Sequence, residues 1–272
     1  MKEYLRQIVA APATNLLKRS VAREYLQARI LQSLQESGAF LTWAFLGGTA
    51  LRFLYSIPRY SEDLDFSLSG SGGEVGLSSA MMAAKNMFEA EGYTLEVKAR
   101  EAKAVHSAFV RFRGLFHDLG LSPRASETLS IKVEIDAHPP AGARLETTLI
   151  RRHVTLHLPH YDKASMLGGK LHALLARRYV KGRDLYDLVW FLSDPSWPAP
   201  NLDLLNAALA QTKWTGVTIT RGNWRDVLWG RLEGIAWKQA VEDVQPFLER
   251  ESDLAWLTEE NVQNLLRKRN AR

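Results

Sequence analysis

Apolar residues in the first part of the chain follow the spacing of a helix and then of strands. Residues 15–38 carry apolar side chains at a period near 3.6, which predicts a helix ending at a glycine. Residues 43–46 form a short apolar run that predicts a buried strand, and residues 50–55 predict the opening of a helix. Gly47 and Gly48 therefore lie at a predicted strand-to-helix turn.

Residues 63–68 alternate between polar and apolar side chains. In an extended strand Asp63, Asp65 and Ser67 share one face, and the apolar residues between them share the other. Two carboxylates at neighbouring positions of one face repel each other, and an ordinary strand gains nothing from this unless a cation lies between them. Because Mg²⁺ is usually held by one or two carboxylates plus substrate phosphates, the pattern predicts a nucleotide site with Mg²⁺ or Mn²⁺.

The turn before this strand suits an anion. Glycines allow backbone N–H groups to approach a phosphate closely, and the start of a helix adds partial positive charge. Gly47, Gly48 and Thr49 are therefore candidate phosphate contacts, and Thr49 is also a candidate helix cap. A glycine pair alone is usually simple turn chemistry, so the prediction depends on the Asp63 and Asp65 pair that follows.

The rest of the pattern predicts a mixed α/β region followed by helices. It predicts a helix over residues 78–92, strands over 94–99, 108–112, 130–135 and 154–158, and a flexible loop over 70–73. From residue 159 the pattern is helical, with a break at 194–200. The predicted fold class is α/β (α+β), with a mixed-sheet lobe over 1–158, a helical lobe over 159–272 and the active site in the cleft between them.

Composition excludes several kinds of site. The 272 residues include no cysteine, so disulfides, thiolate zinc sites and a cysteine nucleophile are absent. The histidines lack zinc-enzyme spacing, and neither a serine-hydrolase elbow nor a Walker A sequence occurs. The start lacks the apolar core of a signal peptide, and no run of about 18 apolar residues occurs, so we expect a soluble cytoplasmic protein with no membrane partner.

A formal net charge of +5 and a pI near 9.4 are compatible with a polyanionic partner but do not require one. Four clustered basic residues are candidate RNA contacts: Arg177, Arg178, Lys181 and Arg183. The basic residues of the tail over 267–272 carry little weight, because terminal tails are commonly solvated. Trp214, Trp224 and Arg225 are candidates for stacking on unpaired bases, although packing between helices explains most such residues.

Two sequence blocks carry a family resemblance. The first runs from Gly47-Gly48-Thr49 through Arg59, Ser61 and Asp63-Leu64-Asp65, and the second comprises residues 170–177 and 181–188. The first block resembles the nucleotidyltransferase superfamily, and the pair resembles the AbiEii/AbiGii group of toxin nucleotidyltransferases, which includes the MenT toxins. The resemblance implies nucleotide contacts for the first block, including Arg59 and Ser61.

The second block predicts two helices, over residues 162–179 and 183–192, separated at Lys181-Gly182. Lys170 and Arg177 fall on one helical face, which for such residues is usually a solvated basic stripe. The resemblance instead places Lys170 against the nucleotide phosphates, with an acidic residue nearby. Asp184 and Asp187 both remain candidates for that role. Many relatives carry a glutamate just before this lysine, where this chain has Gly168-Gly169.

A third carboxylate is implied by the superfamily, acting with the aspartate pair and the attacking hydroxyl. Residues 130–136 alternate cleanly and place Lys132, Glu134 and Asp136 on one face. Glu134 fits best by register and Asp136 is the alternative. An ordinary half-exposed strand with balanced charge explains the pattern equally well.

The resemblance implies a Mg²⁺-dependent nucleotidyltransferase toxin of a type IV toxin-antitoxin system. Its partners would be an NTP, a tRNA 3′ end or other RNA acceptor, and a cognate antitoxin. Alternative acceptors are a protein hydroxyl or a small molecule. A non-catalytic nucleic-acid-binding module of the same fold is a further alternative, although such a module has no need of two mutually repelling carboxylates.

Overall fold

The computed structural model of the protein describes residues 2–69, 76–101 and 104–267. The predicted loop over 70–73 and the basic residues 268–272 lie outside these ranges. The chain forms two compact units. The first contains the chain up to Ser56, Tyr60–Pro139 and Glu146–His160, and the second contains Ile57–Arg59, Pro140–Leu145 and the chain from Tyr161 onward. The predicted division after residue 158 stays a prediction.

A seven-stranded mixed sheet forms the centre of the first unit. Its strands are β1 (Trp43–Leu46), β2 (Leu64–Leu68), β3 (Leu95–Arg100), β4 (Val105–Arg113), β5 (Thr128–Asp136), β6 (Leu145–Arg152) and β7 (Val154–Tyr161). Their order across the sheet is β3-β4-β5-β2-β1-β7-β6. β1 is antiparallel to β2 and parallel to β7, whereas β2 is parallel to β5. β2, which carries Asp65, therefore lies in the middle of the sheet.

Five helices accompany the sheet in the described part of the first unit. They are α1 (Lys2–Ala10), α2 (Asn15–Glu36), α3 (Gly47–Tyr55), α4 (Leu77–Ala90) and α5 (Leu115–Asp118). Thr14 caps α2 by accepting a hydrogen bond from the N–H of Leu17 at 3.2 Å. α2 packs against α1, α4 and β5, and α3 packs against β1 and β2. The apolar faces of these helices and strands thus pack together in one core.

Helices make up most of the second unit. They are α6 (Lys163–Ala176), α7 (Gly182–Ser193), α8 (Leu202–Gln211), α9 (Trp224–Leu232), α10 (Trp237–Val244) and α11 (Glu259–Arg267). Asp162 caps α6 by accepting a hydrogen bond from the N–H of Ser165 at 2.7 Å. A Cβ on Gly182 would overlap the carbonyl oxygen of Ala240, so glycine is required where α7 meets α10.

Two short segments from earlier in the chain complete the second unit. The backbone of Arg59 pairs with that of Leu248, next to a hydrogen bond of 3.1 Å from the N–H of Glu249 to the carbonyl of Pro58. The carbonyl of Gly142 accepts a hydrogen bond of 2.7 Å from the side-chain amide of Asn201. The C-terminal helices are thus packed with residues that precede them by many positions.

The structure adds to the elements expected from the sequence and corrects some of their bounds. α1 and β6 were not predicted. β6 is an edge strand whose residues are mostly exposed, so it lacks the apolar alternation that marks a half-buried strand. β7 continues to Tyr161, into the region predicted to be helical, and α3 begins at Gly47 itself. Within the described residues, no helix has both the length and the apolar character needed to cross a bilayer.

Candidate active site

The glycine turn lies where β1 passes directly into α3. Gly47 has φ of 80°, a left-handed conformation that glycine adopts without strain. Leu46, at the N-cap position, makes no side-chain capping hydrogen bond. The first N–H groups of a helix lack partners within the helix, so this turn retains donors for an anion.

The carboxylate of Asp65 lies against this turn. Leu46 and Asp65 are paired in the antiparallel register of β1 and β2. A Cβ built on Gly47 would lie 3.1 Å from both Cβ and Cγ of Asp65, and closer still to its Oδ2. A side chain at position 47 would therefore occupy the space of the carboxylate. The structure brings together the glycine turn and the acid that the sequence predicted to share a site.

Asp63 lies immediately before β2 on a tightly held backbone. The hydroxyl of Thr49, which is fully buried, donates a hydrogen bond to the carbonyl of Asp63. Gln27 on α2, only 2 % exposed, donates from Nε2 to the carbonyls of Ser61 at 3.1 Å and Glu62 at 3.0 Å. Three consecutive carbonyls are therefore fixed by side chains of α2 and α3, which sets the backbone that carries Asp63.

Gln27 was not among the residues predicted from the sequence. It is one of several polar side chains buried on α2, and its partners are visible only once the helix is packed. Thr49, expected as a cap or phosphate contact, instead uses its hydroxyl to bind the backbone carbonyl of Asp63 in the same block. Its N–H remains part of the first turn of α3.

A buried cluster around Glu24 holds α3 in place at Arg52, beyond the glycine turn. The carboxylate of Glu24 on α2 accepts from Nε of Arg52 on α3 at 2.5 Å, from Nε of Arg152 at 3.1 Å and from Nε2 of His153 at 3.3 Å. Burial by itself raises the pKa of Glu24, but the hydrogen bond with His153 and the charges of Arg52 and Arg152 outweigh it and lower the pKa to about 2. Glu24 therefore stays ionised and fixes α3 to α2.

The candidates for the third carboxylate lie on the strand beside Asp65. In the parallel register of β2 and β5, Asp65 is paired with Glu134 and Ser67 with Asp136. Glu134 makes an ion pair of 2.7 Å with Lys132, and Asp136 accepts a hydrogen bond of 2.9 Å from the N–H of His138. Glu134 thus lies level with Asp65, whereas Asp136 lies one strand repeat further, roughly 7 Å along β5.

The donor chemistry of this site fits a divalent metal shared with a substrate. No group of three histidine or acidic side chains is arranged as a metal cage in the described ranges. Mg²⁺ commonly takes one or two carboxylates and completes its coordination with water and phosphate oxygens. Asp63 and Asp65 beside a glycine turn supply that donor set.

In the second unit, Lys170 on α6 lies between both candidate acids of α7. Its Nζ is 2.6 Å from Oδ1 of Asp184 and 2.7 Å from Oδ2 of Asp187. Burial alone lowers the pKa of Lys170, but the charges of Asp184 and Asp187 outweigh it and raise the pKa above its ordinary value. Each carboxylate binds the lysine, so these contacts do not choose between Asp184 and Asp187, and both stay predictions.

The two acids differ in their second partner. Asp187, with no exposed surface, receives Arg59 in a bidentate pair, and Asp184 also pairs with Arg177. Arg59, expected to bind nucleotide, is 2 % exposed and therefore has the geometry of a group that fixes α7. Lys170 and Arg177, predicted to share a helical face, meet at Asp184.

The remaining basic candidates lie at or near the turn between α6 and α7. Arg177 and Arg178 are exposed, and their carbonyls accept hydrogen bonds from Nη2 of Arg231 at 2.7 and 3.2 Å. Lys181 is the N-cap residue of α7, and the guanidinium of Arg183 lies 4.3 Å from the ring centroid of Phe247. Arg183 is thus partly used in packing, whereas Arg178 is directed to solvent.

Solved structures with a similar fold include nucleotidyltransferases. MenT4, a nucleotidyltransferase toxin from Mycobacterium tuberculosis H37Rv, matches with a TM-score of 0.56 and 18% identity, over 100% of this chain and 91% of that chain. JHP933 from Helicobacter pylori matches with a TM-score of 0.53 and 19% identity, over 92% of each chain. No curated protein matches the sequence. The fold is therefore that of the nucleotidyltransferases, as predicted.

The family is shown by the sequence itself. Residues 29–268 match the model of the nucleotidyl transferase AbiEii toxin of type IV toxin-antitoxin systems. The chain belongs to this AbiEii family and is a nucleotidyltransferase, which confirms the resemblance stated above. Membership in a toxin-antitoxin family implies an NTP substrate and a cognate antitoxin.

Proposed function

We propose that this protein transfers a nucleotide from an NTP to the 3′ end of tRNA, with Mg²⁺ or Mn²⁺ held by Asp63 and Asp65. The observation that carries the proposal is the placement of the Asp65 carboxylate against Gly47 at the start of α3. Phosphate donors and metal ligands are thereby adjacent, which is the requirement for binding a metal-bound triphosphate.

The proposed chemistry is an in-line displacement at the α-phosphorus. The acceptor hydroxyl oxygen forms a bond to the α-phosphorus, the bond to the bridging oxygen of the β-phosphate breaks, and pyrophosphate leaves. Glu134, level with Asp65 in the register of β2 and β5, is proposed to accept the hydroxyl proton. When bound, the metal would offset negative charge on the phosphates.

The backbone of the glycine turn and Lys170 have the remaining roles. The N–H groups of Gly47, Gly48 and Thr49 are proposed to hold phosphate oxygens, as the resemblance implies. Lys170 is proposed to supply positive charge to the phosphates, since its ion pairs keep it protonated. Ser61 is retained as a nucleotide contact, and Arg59 is proposed to act through Asp187.

An RNA acceptor is supported by charge and by family. The net charge of +5 and the exposed Arg177 and Arg178 favour a polyanion. A tRNA 3′ end is the acceptor that the toxin resemblance implies, and an antitoxin would oppose its modification. Protein hydroxyls and small molecules are the competing acceptors.

The test is to incubate the protein with each labelled NTP, Mg²⁺, total RNA and cell protein, and to determine which fraction becomes labelled. We expect label in the tRNA band. Asp65→Asn should abolish labelling, and chelation of divalent cations should do the same. Asp226→Asn, an exposed acid on α9, is the matched control and should retain activity. Label in protein, or none in RNA, would refute the proposed acceptor, and full activity of Asp65→Asn would refute the proposed metal site.

A further inference from the structure

The second unit contains a cavity of about 400 Å³ that has no part in the chemistry proposed above. The residues that define its character are Trp197, Trp224, Trp256, Arg225 and Asn261. A volume of this size accommodates a small organic group, and a lining that combines apolar and polar side chains suits a ligand that carries both kinds of group. The sequence already marked Trp224 and Arg225 as candidates for stacking.

Among the described residues, Arg225 is a charged group whose buried Nε has no hydrogen-bond partner. Its guanidinium lies 4.2 Å from the ring centroid of Trp224. Its Nε is buried without a hydrogen bond, and within the described part of the chain its Nη atoms bind no carboxylate or carbonyl. Burial lowers the pKa of Arg225 below its ordinary value. A partly desolvated guanidinium that stacks on a ring but lacks an acceptor is suited to an anion from outside the chain.

The aromatic residues supply flat apolar surface beside this cation. Trp197 and Trp224 are 6 % and 3 % exposed and form fixed walls, whereas Trp256 is 64 % exposed. An exposed indole next to a guanidinium is the arrangement on which unpaired bases stack. Trp214, the third stacking candidate of the sequence, does not line the cavity.

Two polar side chains of the lining differ in their availability. The side-chain amide nitrogen of Asn261 donates to the carbonyl of Trp256 at 2.7 Å, which leaves Oδ1 as an acceptor. Oδ1 of Asp194 accepts from both N–H and Oγ of Ser196, at 2.8 and 2.7 Å. The negative charge of Asp194 is thus engaged in its own turn, and Asn261 offers an acceptor suited to an amino group.

We propose that this cavity binds a single unstacked nucleotide, with its base against the exposed ring of Trp256 and its phosphate at Arg225. A nucleotide carries a flat aromatic ring and an anion in one unit, whereas no unmodified amino acid side chain carries both. The source is either one residue of a single-stranded RNA or a free nucleotide. The inference rests on the proposed function only in favouring RNA as the source.

The experiment measures binding without NTP and with divalent cations chelated, so that no transfer occurs. Fluorescence anisotropy of an end-labelled single-stranded RNA octamer gives the RNA affinity, and calorimetry with AMP, CMP, GMP and UMP gives the affinity for free nucleotides. The variants are Arg225→Gln and Trp256→Ala. Arg221→Gln, an exposed arginine just before α9, and Trp256→Phe are the matched controls. Melting temperatures establish that each variant is folded.

We expect Arg225→Gln and Trp256→Ala to weaken binding about tenfold or more, and the controls to change it less than about threefold. Loss of octamer binding identifies RNA as the source, and loss of mononucleotide binding alone identifies a free nucleotide. The inference would be overturned if both variants kept the parent's affinity for the octamer and the mononucleotides, or if Arg221→Gln lost as much affinity as Arg225→Gln. A protein side chain would then be the remaining candidate ligand of the cavity. Absence of nucleotide transfer by the parent protein, with binding intact, would refute the proposed function and not this site.

Discussion

Arg59 and Asp187 form a buried bidentate ion pair, with Nε 2.5 Å from Oδ1 and Nη2 2.6 Å from Oδ2. Burial alone lowers the pKa of Arg59, but the charge of Asp187 outweighs it and raises the pKa, so the guanidinium stays charged. Two planar groups matched in this way fix both the segment before Tyr60 and the helix α7. Lys170 joins the same carboxylate.

Removing one partner of this pair should leave a buried charge without compensation. We expect Asp187→Asn and Arg59→Met each to lower the free energy of unfolding by about 3–5 kcal/mol, measured by urea denaturation. In the double variant Arg59→Met with Asp187→Asn, part of the loss should be recovered because no charge of the pair remains. Additive losses in the double variant would contradict the coupling.

Alanine substitutions at Gly47 and Gly92 should distinguish the effect of backbone strain at positive φ from the effect of displacing the Asp65 carboxylate. Gly47→Ala introduces a Cβ at positive φ and into the space of the Asp65 carboxylate. We expect at least a hundredfold loss of transfer and a stability loss of about 1–3 kcal/mol. Gly92→Ala is the matched control, since Gly92 has φ of 79° and no atom within 4 Å of the added Cβ. It should lose stability by about 1 kcal/mol and retain transfer.

The register of β2 and β5 distinguishes the two candidates for the third carboxylate. Because Glu134 is paired with Asp65, we expect Glu134→Gln to lower kcat by about a hundredfold or more, with little change in the melting temperature. Asp136→Asn, further along the strand, should lower it less than about fivefold. The reverse order of effects in a steady-state transfer assay would assign the role to Asp136.

Acid should weaken the first unit through Glu24. Its pKa is depressed to about 2 in the folded protein from an ordinary value of 4.5, so its contribution to stability is present above pH 4.5 and is lost as the pH falls toward 2. The difference corresponds to about 3 kcal/mol. In denaturation measured across this range, Glu24→Gln should be less stable at pH 7 and should show a smaller slope with pH than the parent. Equal slopes in Glu24→Gln and the parent would show that other carboxylates determine the loss of stability in acid.

The central site was largely predictable because it depends on local periods. The strand period of two predicted that Asp63 and Asp65 share one face, and the structure places Asp65 within β2 and Asp63 just before it. The apolar run before Gly47 correctly marked a strand-to-helix turn. The contact between the glycine turn and the Asp65 carboxylate depends in addition on the pairing of Leu46 with Asp65, which the sequence does not specify. The register that sets Glu134 level with Asp65 likewise agrees with the alternation of β5.

The supporting residues were not predictable, because they act over long separations. Gln27 and Glu24 are polar residues in a buried helix, and nothing in their neighbours indicates which carbonyls or arginines they meet. Arg59 was assigned to the nucleotide by its place in a motif, whereas in the structure it binds Asp187, which follows it by 128 residues. The apolar alternation that reveals central strands is also missing from the edge strand β6.

The use of Ile57–Arg59 by the second unit constrains how this protein can be divided for experiment. A recombinant fragment that starts at residue 159 would contain Asp187 but not Arg59, and so would enclose an acid deprived of one of its two cations. During translation the same arginine leaves the ribosome well before α7 exists. Truncations intended to isolate the helical part should therefore retain the Ile57–Arg59 peptide, supplied in cis by a linker.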